Sequence, residues 1–255
     1  MRVSRSAAVS PQLALQLALL TGLLVACSSA TATKARPLPT PSVLPGEAGK
    51  PAPTIIGDAH AALLAATSVH VTGTFTPNAR STQRLDLRLT RVNGQPAATG
   101  TVTTVTRSGA RASTVTLALI RVGSHLYVRG DRSYYARIGP KAAAVAGRWL
   151  SLPIAQDKSV ADLTDLTTLA AGLSSTSADR VRGIQQLRGA GVVIVTTGSG
   201  ATLYVAQAGP PRPLRLQRTA TSASAVTGTV DFADYDAPLS FAAPAGAINI
   251  ATVRS

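Results

Sequence analysis

The stretch QRLDLRLTRV, residues 83–92, decides the fold class, because leucine alternates with charged residues in it. Successive side chains of a β-strand point to opposite faces of the sheet. Leu85, Leu87 and Leu89 therefore share one face, and the charged side chains share the other. The pattern predicts a strand whose leucine face is buried and whose charged face lies in solvent.

Segments of the same character lie on both sides of this stretch. They are rich in Val, Thr and Leu, and turn signals such as Asn93-Gly94 separate them. Val115, Leu117 and Leu119 repeat the alternation. The other predicted strands cover residues 69–76, 98–107, 113–121, 124–129, 191–197, 201–206, 214–218 and 227–233.

Two segments have helical features instead. Asp58 is a candidate N-cap for a short alanine-rich helix over residues 59–66. Residues 159–173 place four apolar side chains near one stripe, which is typical of a helix that covers part of a sheet. The expected fold class is α+β, a curved antiparallel β-sheet (half-barrel) with helices covering the concave side.

The N-terminus carries an export signal that ends at Cys27. Arg2 and Arg5 form a short basic region, and residues 13–25 supply an apolar run that is too short for a permanent membrane span. Leu24-Val25-Ala26-Cys27 then fits the pattern that bacterial signal peptidase II recognises. We expect cleavage between Ala26 and Cys27.

Cys27 is the only cysteine of the chain, and its thiolate is the nucleophile that would take a diacylglyceryl group from a membrane phospholipid. Two acyl chains, of the palmitate kind, suffice for lasting membrane attachment. The mature protein is therefore expected to be a lipoprotein, exported and lipid-anchored to the outer face of the bacterial cytoplasmic membrane. The alternative is a chance cysteine after an ordinary signal peptide.

The composition divides the chain into three parts. Residues 1–26 are the predicted lipoprotein signal peptide. Residues 27–56 comprise the lipidated cysteine and a tether rich in Pro, Ser, Thr and Ala, for which extended polyproline II is expected. Residues 57–255 contain no second proline-rich break and are predicted to form one domain.

The formal net charge is +14. Outside the cytoplasm this charge does not indicate a nucleic acid partner. It would attract the chain to anionic phospholipid headgroups or acidic wall polymers, and the alternative is an ordinary solvated face.

No pattern of catalytic residues is found. The three histidines, His60, His70 and His125, are scattered, and neither a Gly-x-Ser-x-Gly elbow nor a His-Glu-x-x-His pair occurs. The cluster of Asp231, Asp234 and Asp236 is interpreted as a strand end and turn, because a calcium loop needs more oxygen ligands at regular spacing. The chain is predicted not to be an enzyme, with no catalytic residue, metal site or cofactor.

Several segments resemble the actinobacterial lipoproteins of the LppX and LprG type, whose fold is similar to that of the periplasmic lipoprotein carrier LolA. The resemblance rests on the signal around Cys27 and on segments of the mature chain. These are residues 71–75 (VTGTF), 125–129 (HLYVR), 147–150 (GRWL), 201–205 (ATLYV), 211–216 (PRPLRL) and 230–236 (VDFADYD). It implies a half-barrel whose concave apolar face binds acyl chains of lipids or lipoglycans and assists their movement through the cell envelope.

A lipid cavity needs apolar residues that line a pocket as well as residues that pack the core. Residues 192–195 (VVIV) are apolar on both faces of a strand, although a strand buried on both sides explains them equally well. The candidate cavity-lining residues are Leu85, Leu87, Leu89, Val115, Leu117, Leu119, Leu126, Val193 and Val195. The alternative function is a non-enzymatic envelope interaction or structural lipoprotein with a closed sheet and no lipid ligand.

Overall fold

The computed structural model describes residues 46–220 and 226–254. The predicted signal peptide, the cleavage site at Ala26 and Cys27, and most of the tether lie outside these ranges. Every helix within them is too short or too polar to span a bilayer.

The described residues form one twelve-stranded sheet and five α-helices. The strands are β1 (Ser68–Asn78), β2 (Ser81–Val92), β3 (Gln95–Ser108), β4 (Arg111–Val122), β5 (His125–Gly130), β6 (Leu150–Pro153), β7 (Arg180–Leu187), β8 (Ala190–Thr196), β9 (Ala201–Ala206), β10 (Pro213–Arg218), β11 (Thr227–Ala233) and β12 (Ile248–Asn249). The helices are α1 (Ala52–Ala65), α2 (Arg132–Ile138), α3 (Pro140–Ala144), α4 (Lys158–Leu163) and α5 (Leu166–Ala171).

The strands follow the order β12-β6-β5-β4-β3-β2-β1-β11-β10-β9-β8-β7. Neighbours are antiparallel, except that β12 runs parallel to β6. The sheet is open, because β12 and β7 at its two ends do not pair. The predicted α+β half-barrel is confirmed, and the parallel pair is its departure from the antiparallel expectation.

The leucine alternation in β2 sets the two faces of the sheet as predicted. Leu85, Leu87 and Leu89 are buried, while the charged residues between them are exposed. In register, Leu87 faces Val71 of β1 on one side and Gly100 of β3 on the other. The leucines therefore lie within one apolar face that continues across the neighbouring strands.

Two glycines allow close approach between strands on this face. A Cβ on Gly100, whose φ is +150°, would overlap the backbone carbonyl of Asp86. A Cβ on Gly73 would lie 2.5 Å from the carbonyl oxygen of Thr229. Both positions need glycine because any side chain would push the strands apart.

The first helix begins earlier than predicted. It starts at Ala52 instead of following a cap at Asp58. Pro53 lies in its first turn, where the missing N–H is not needed for an intrahelical bond. Residues 52–56 were assigned to the tether because of their prolines, but they belong to α1, and Ile55 is fully buried.

The single helix predicted over residues 159–173 is wrong, because two shorter helices occupy this stretch. The Asp165 side chain accepts a hydrogen bond of 2.8 Å from the backbone N–H of Thr167 and thereby caps α5. Leu166 and Ala170 of α5 are buried, so part of the predicted apolar stripe still faces the sheet.

No sequence pattern predicted α2, α3, β6, β7 or β12. In β7 the pairing with β8 shifts register between Val181 and Gly183. This bulge breaks the alternation of apolar side chains, which is the signal by which strands are recognised.

Candidate functional site: the concave face of the sheet

The nine candidate cavity-lining residues lie on one face of the sheet, the face that the helices cover. Leu85 pairs with Val102, which pairs with Leu117, and Leu119 pairs with Val128. Eight of the nine are buried, and Leu117 is half-buried. We call this surface the concave face.

The concave face has two ends. The closed end carries the β2–β3 turn at residues 93–94 and the β4–β5 turn at residues 123–124. The tip end carries the β1–β2 turn at residues 79–80 and the β3–β4 turn at residues 109–110.

Helix α1 fills the space over much of the concave face. Ile55, Ala59 and Leu63 of this helix are fully buried and belong to the same apolar cluster as Leu87 and the other inward residues of β2. The helix contacts β8, β10 and α5. An acyl chain would have to displace side chains from this region rather than enter an empty space.

Arg121 is a charged residue that faces inward at the closed end. It follows Val115, Leu117 and Leu119 on the inward positions of β4, and only 7% of its surface is exposed. Burial lowers the pKa of its guanidinium group, and the charge of Asp165 opposes that shift.

The bonds of Arg121 fix helix α4 to the sheet. Its guanidinium donates to the carbonyl oxygen of Ala161 at 2.9 Å and to the hydroxyl of Thr164 at 3.0 Å. A further bond of 3.0 Å goes to the carbonyl oxygen of Gly123. The side chain therefore satisfies the Ala161 carbonyl near the C-terminal end of α4, where cations are favoured.

The tip end is less completely covered. Some apolar side chains towards the tip end of the same face are only half-buried, while Val102 and Val115 beside them are buried. The half-buried side chains are those of Phe75, Leu117, Leu216 and Val230. The row that joins Leu85 to Val230 passes through Gly73, which adds no side chain to cover the sheet.

Helix α2 lies above this end. Its N-cap, Asp131, accepts hydrogen bonds from the Ser133 hydroxyl (2.6 Å) and the Tyr134 backbone N–H (2.9 Å), and these bonds lower the pKa of the carboxyl group. At its other end Arg137 donates to the Ser113 hydroxyl of β4 at 2.7 Å. The buried Tyr135 hydroxyl donates to the carbonyl oxygen of Arg148.

Tyr134 belongs to the same helix and is half-buried. Burial raises the pKa of its hydroxyl to about 12, so the side chain is neutral at physiological pH. Its ring meets that of Tyr135 edge to face, with centroids 5.5 Å apart. Helix α2 thus presents an uncharged aromatic pair beside the tip end.

Two surface hollows among the described residues lie outside the space that the helices cover. One, of about 410 Å³, is formed by the turns of the closed end. The other, of about 380 Å³, includes Thr72, Thr74, Arg84, Asp86 and Asp231, whose side chains point to the opposite face of the sheet. Both are shallow and largely open to solvent.

The histidine and aspartate residues of the opposite face form structural pairs. Both ring nitrogens of His70 contact carboxylates, Asp86 at 2.8 Å and Asp234 at 3.2 Å. Asp231 forms ion pairs with Arg215 at 2.7 Å and with Arg188 at 2.6 Å. With both nitrogens engaged, His70 has no free nitrogen to act as a general base.

The third aspartate of the acidic cluster holds the end of β11. Asp236 accepts a bond of 2.8 Å from the backbone N–H of Thr67 and pairs with Arg212, and these contacts lower the pKa of its carboxyl group. Within the ranges that the structure describes, no group of three His, Cys, Asp or Glu side chains is placed to hold a metal ion.

Comparison with solved structures shows the fold. LprF from Mycobacterium bovis superimposes with a TM-score of 0.57 at 16% sequence identity, over 76% of this chain and 97% of that one. The Mycobacterium tuberculosis lipoprotein LppX matches with a TM-score of 0.45 at 16% identity, over 74% of this chain and 98% of that one. No protein-family model and no curated protein sequence matches this chain. The resemblance to the LppX and LprG type is confirmed at the level of the fold.

Proposed function

We propose that this protein is an exported, membrane-anchored lipoprotein whose half-barrel binds acyl chains of lipids or lipoglycans at the tip end of the concave face and assists their movement through the cell envelope. The observation that carries the proposal is a group of half-buried apolar side chains on the concave face, which lie among buried ones such as Val102 and Val115. Phe75, Leu117 and Val230 extend an apolar surface towards the tip end, and α2 lies beside it.

The physical basis is that these half-buried side chains are incompletely covered by the helices. An apolar side chain that is half exposed leaves surface in water, and an acyl chain laid along it would gain about 25 cal/mol for each Å² buried. Helix α2 buries one side chain, that of Tyr135, whereas α1 buries five, so displacing α2 costs less than displacing α1. Entry at the tip end would therefore not require unpacking of α1.

The proposed activity is binding and transfer without catalysis. His70 is held by two carboxylates, and the two hollows described above contain no nucleophile that is paired with a base. The anchor at Cys27 would keep the domain beside the membrane from which an acyl chain is taken.

Native mass spectrometry with lipid extraction tests the binding. We would use the mature chain, residues 27–255 with Cys27→Ser, purified from a bacterium rich in envelope lipids. Stoichiometric acyl-containing adducts are expected. In Leu117→Gln the adducts should fall about tenfold or more, because a polar group would be buried against the acyl chain.

Ile120→Gln is the matched control. Ile120 lies on the same strand, is also half-buried and points to the opposite face. It should keep the adducts of the parent chain. A clean mass for the parent chain, which stays clean after incubation with candidate lipids, would contradict acyl binding.

The complete burial at the closed end favours a second candidate, a structural or interaction lipoprotein with no lipid ligand. Ile55, Leu63 and Leu87 leave no space for a ligand there. If the tip end is equally closed in solution, the protein would act through its outer surface on a partner in the envelope. The clean mass described above would favour this candidate.

The anchor has its own test. Cys27→Ser should leave the folded domain unchanged but abolish lipid attachment and cleavage by signal peptidase II. The measurement is membrane partitioning of the processed form in cells. Retained partitioning of a normally processed variant would contradict the anchor.

A further inference from the structure

Four arginines lie together at the tip end of the sheet. Arg80 is in the β1–β2 turn, Arg107 and Arg111 flank the β3–β4 turn, and Arg137 is in α2. All four are exposed. We call them the tip cluster.

Backbone pairing and one side-chain bond bring the tip cluster together. The backbone N–H of Arg107 donates to the carbonyl oxygen of Arg80 at 2.7 Å, which joins the two turns. Arg111 faces Ser108 across the β3–β4 hairpin. The Arg137 guanidinium is 2.7 Å from the hydroxyl of Ser113, two residues beyond Arg111.

The tip cluster has no carboxylate partner. Among the described residues, none of its four arginines lies within 4.0 Å of a carboxylate oxygen, and residues 77–82 and 105–114 contain no acid. Asp131, the N-cap of the helix that carries Arg137, bonds Ser133 and Tyr134, and its charge attracts Arg137 without direct contact. The cluster therefore presents a net positive charge.

Three arginines elsewhere on the sheet do have carboxylate partners. Arg188 and Arg215 are both paired with Asp231, and Arg212 is paired with Asp236. What sets the tip end apart is that four exposed arginines without a carboxylate partner lie near two adjoining turns, in a chain whose overall charge is +14. Anions are the complementary ligand for such a surface.

The position where the tether joins the domain permits contact with the anchoring membrane. Gly46 lies beside Gln207, which follows β9 at the end opposite to the tips. The twelve residues of β2 span about 40 Å at roughly 3.3 Å per residue. A polyproline II tether over residues 28–45 would reach about 55 Å, which exceeds the length of the strand.

We infer that the tip cluster docks the domain on anionic phospholipid headgroups of the membrane that holds Cys27, so that the tip end of the concave face meets the bilayer surface. The inference rests on the membrane-anchored location given under Proposed function. Arginine forks suit phosphate oxygens geometrically. The half-buried residue Leu117 lies on the same strand as Arg111, so docking would bring this part of the concave face close to the acyl chains of the bilayer.

The test is cosedimentation with vesicles. The mature chain with Cys27→Ser would be mixed with vesicles of phosphatidylglycerol and phosphatidylcholine in equal parts, or of phosphatidylcholine alone. We expect binding to the first, weakened by salt, and little binding to the second. Arg80→Gln, Arg107→Gln and Arg111→Gln together should lower the partition coefficient on the order of 100-fold, since each arginine near such a surface contributes about 1 kcal/mol.

The matched control removes the same charge from the opposite face of the sheet. Arg84→Gln, Arg88→Gln and Arg129→Gln change exposed arginines that lie away from the two turns of the tip end. The control variant should keep most of the binding, and thermal unfolding would verify that both variants fold.

Three results would overturn the inference. The first is an equal loss in both variants, which would mean attraction by overall charge. The second is unchanged binding of the tip variant. The third is failure of the parent chain to bind anionic vesicles while it binds an insoluble anionic wall polymer. Failure of the acyl-binding proposal is separate, because it appears as missing adducts in a chain that still binds vesicles.

Discussion

The closed end and the tip end of the concave face are built from the same strands but are packed differently. At the closed end Leu87 and Leu89 are fully buried beneath helices, whereas at the tip end Leu117 and Phe75 are half-buried. The alternation in the strands is the same at both ends. The difference therefore comes from the cover over the sheet, and it separates side chains that are packed on all sides from side chains that keep part of their surface in solvent.

Truncation of a leucine at each end gives the largest expected contrast. Leu87→Ala should lower the free energy of unfolding by about 2–5 kcal/mol, because a fully buried side chain leaves a cavity. Leu117→Ala should cost less than about 1.5 kcal/mol, because its site is already partly open to solvent. Urea unfolding monitored by circular dichroism measures both. Equal losses would mean that the tip end is as tightly packed as the closed end.

Removal of the Arg121 guanidinium at the closed end should have the next largest effect on the free energy of unfolding. Arg121→Met keeps much of the packing but loses the bonds to Ala161, Thr164 and Gly123, which should cost about 1–3 kcal/mol. Hydrogen exchange should show α4 opening first.

Arg91→Met is the control for this change. Arg91 also bonds helices, at the Leu64 carbonyl oxygen (3.1 Å) and the Thr167 hydroxyl (3.2 Å), but it is less buried than Arg121. A smaller loss is expected. If Arg91→Met lowered the free energy of unfolding as much as Arg121→Met, the greater burial of Arg121 would add nothing to the strength of its bonds.

The smallest expected effect is a dependence of the free energy of unfolding on pH, which arises from Asp236 at the closed end. The pKa of Asp236 is lowered in the folded state, by the Thr67 backbone N–H first and by Arg212 as well. A lowered folded-state pKa means that the stabilisation is complete above the unfolded value of about 3.9 and is lost as the pH falls through the folded value. Asp236→Asn should therefore be less stable than the parent at pH 6, and the difference should shrink below about pH 4. Parallel stability curves across this range would contradict the assignment.

The sheet and its buried face could be predicted from the sequence because the signal is local. Leu85, Leu87 and Leu89 alternate with charged residues, and no distant contact is needed to interpret that pattern. Helix α1 was harder to delimit, since Pro53 suggests an extended tether when its position in a first helical turn is unknown. The bulge at Gly183 hid β7 for a similar reason.

The candidate site could be predicted only in part. The face that carries the apolar side chains follows from alternation, but the extent of its cover depends on contacts between distant residues. Arg121 and Ala161, which join β4 to α4, are 40 positions apart in the chain. One signal was available, because Arg121 occupies an inward position of β4, where a charged residue must find polar partners. The tip cluster likewise depends on a hairpin register that brings Arg80 beside Arg107.

The open sheet leaves an edge at which two copies of this protein could pair, and the proposed membrane anchor would bring such copies close together. Among the described residues, β7 pairs only with β8, so its outer edge is available to another chain. Unprotected edges promote aggregation, and anchored molecules diffuse in two dimensions, where encounters between copies are frequent. Arg180 and Arg182 are exposed on this edge, and the bulge at Gly183 interrupts its regular pairing. These features oppose edge-to-edge pairing between copies, even though Ile184 is 40% exposed on the same strand.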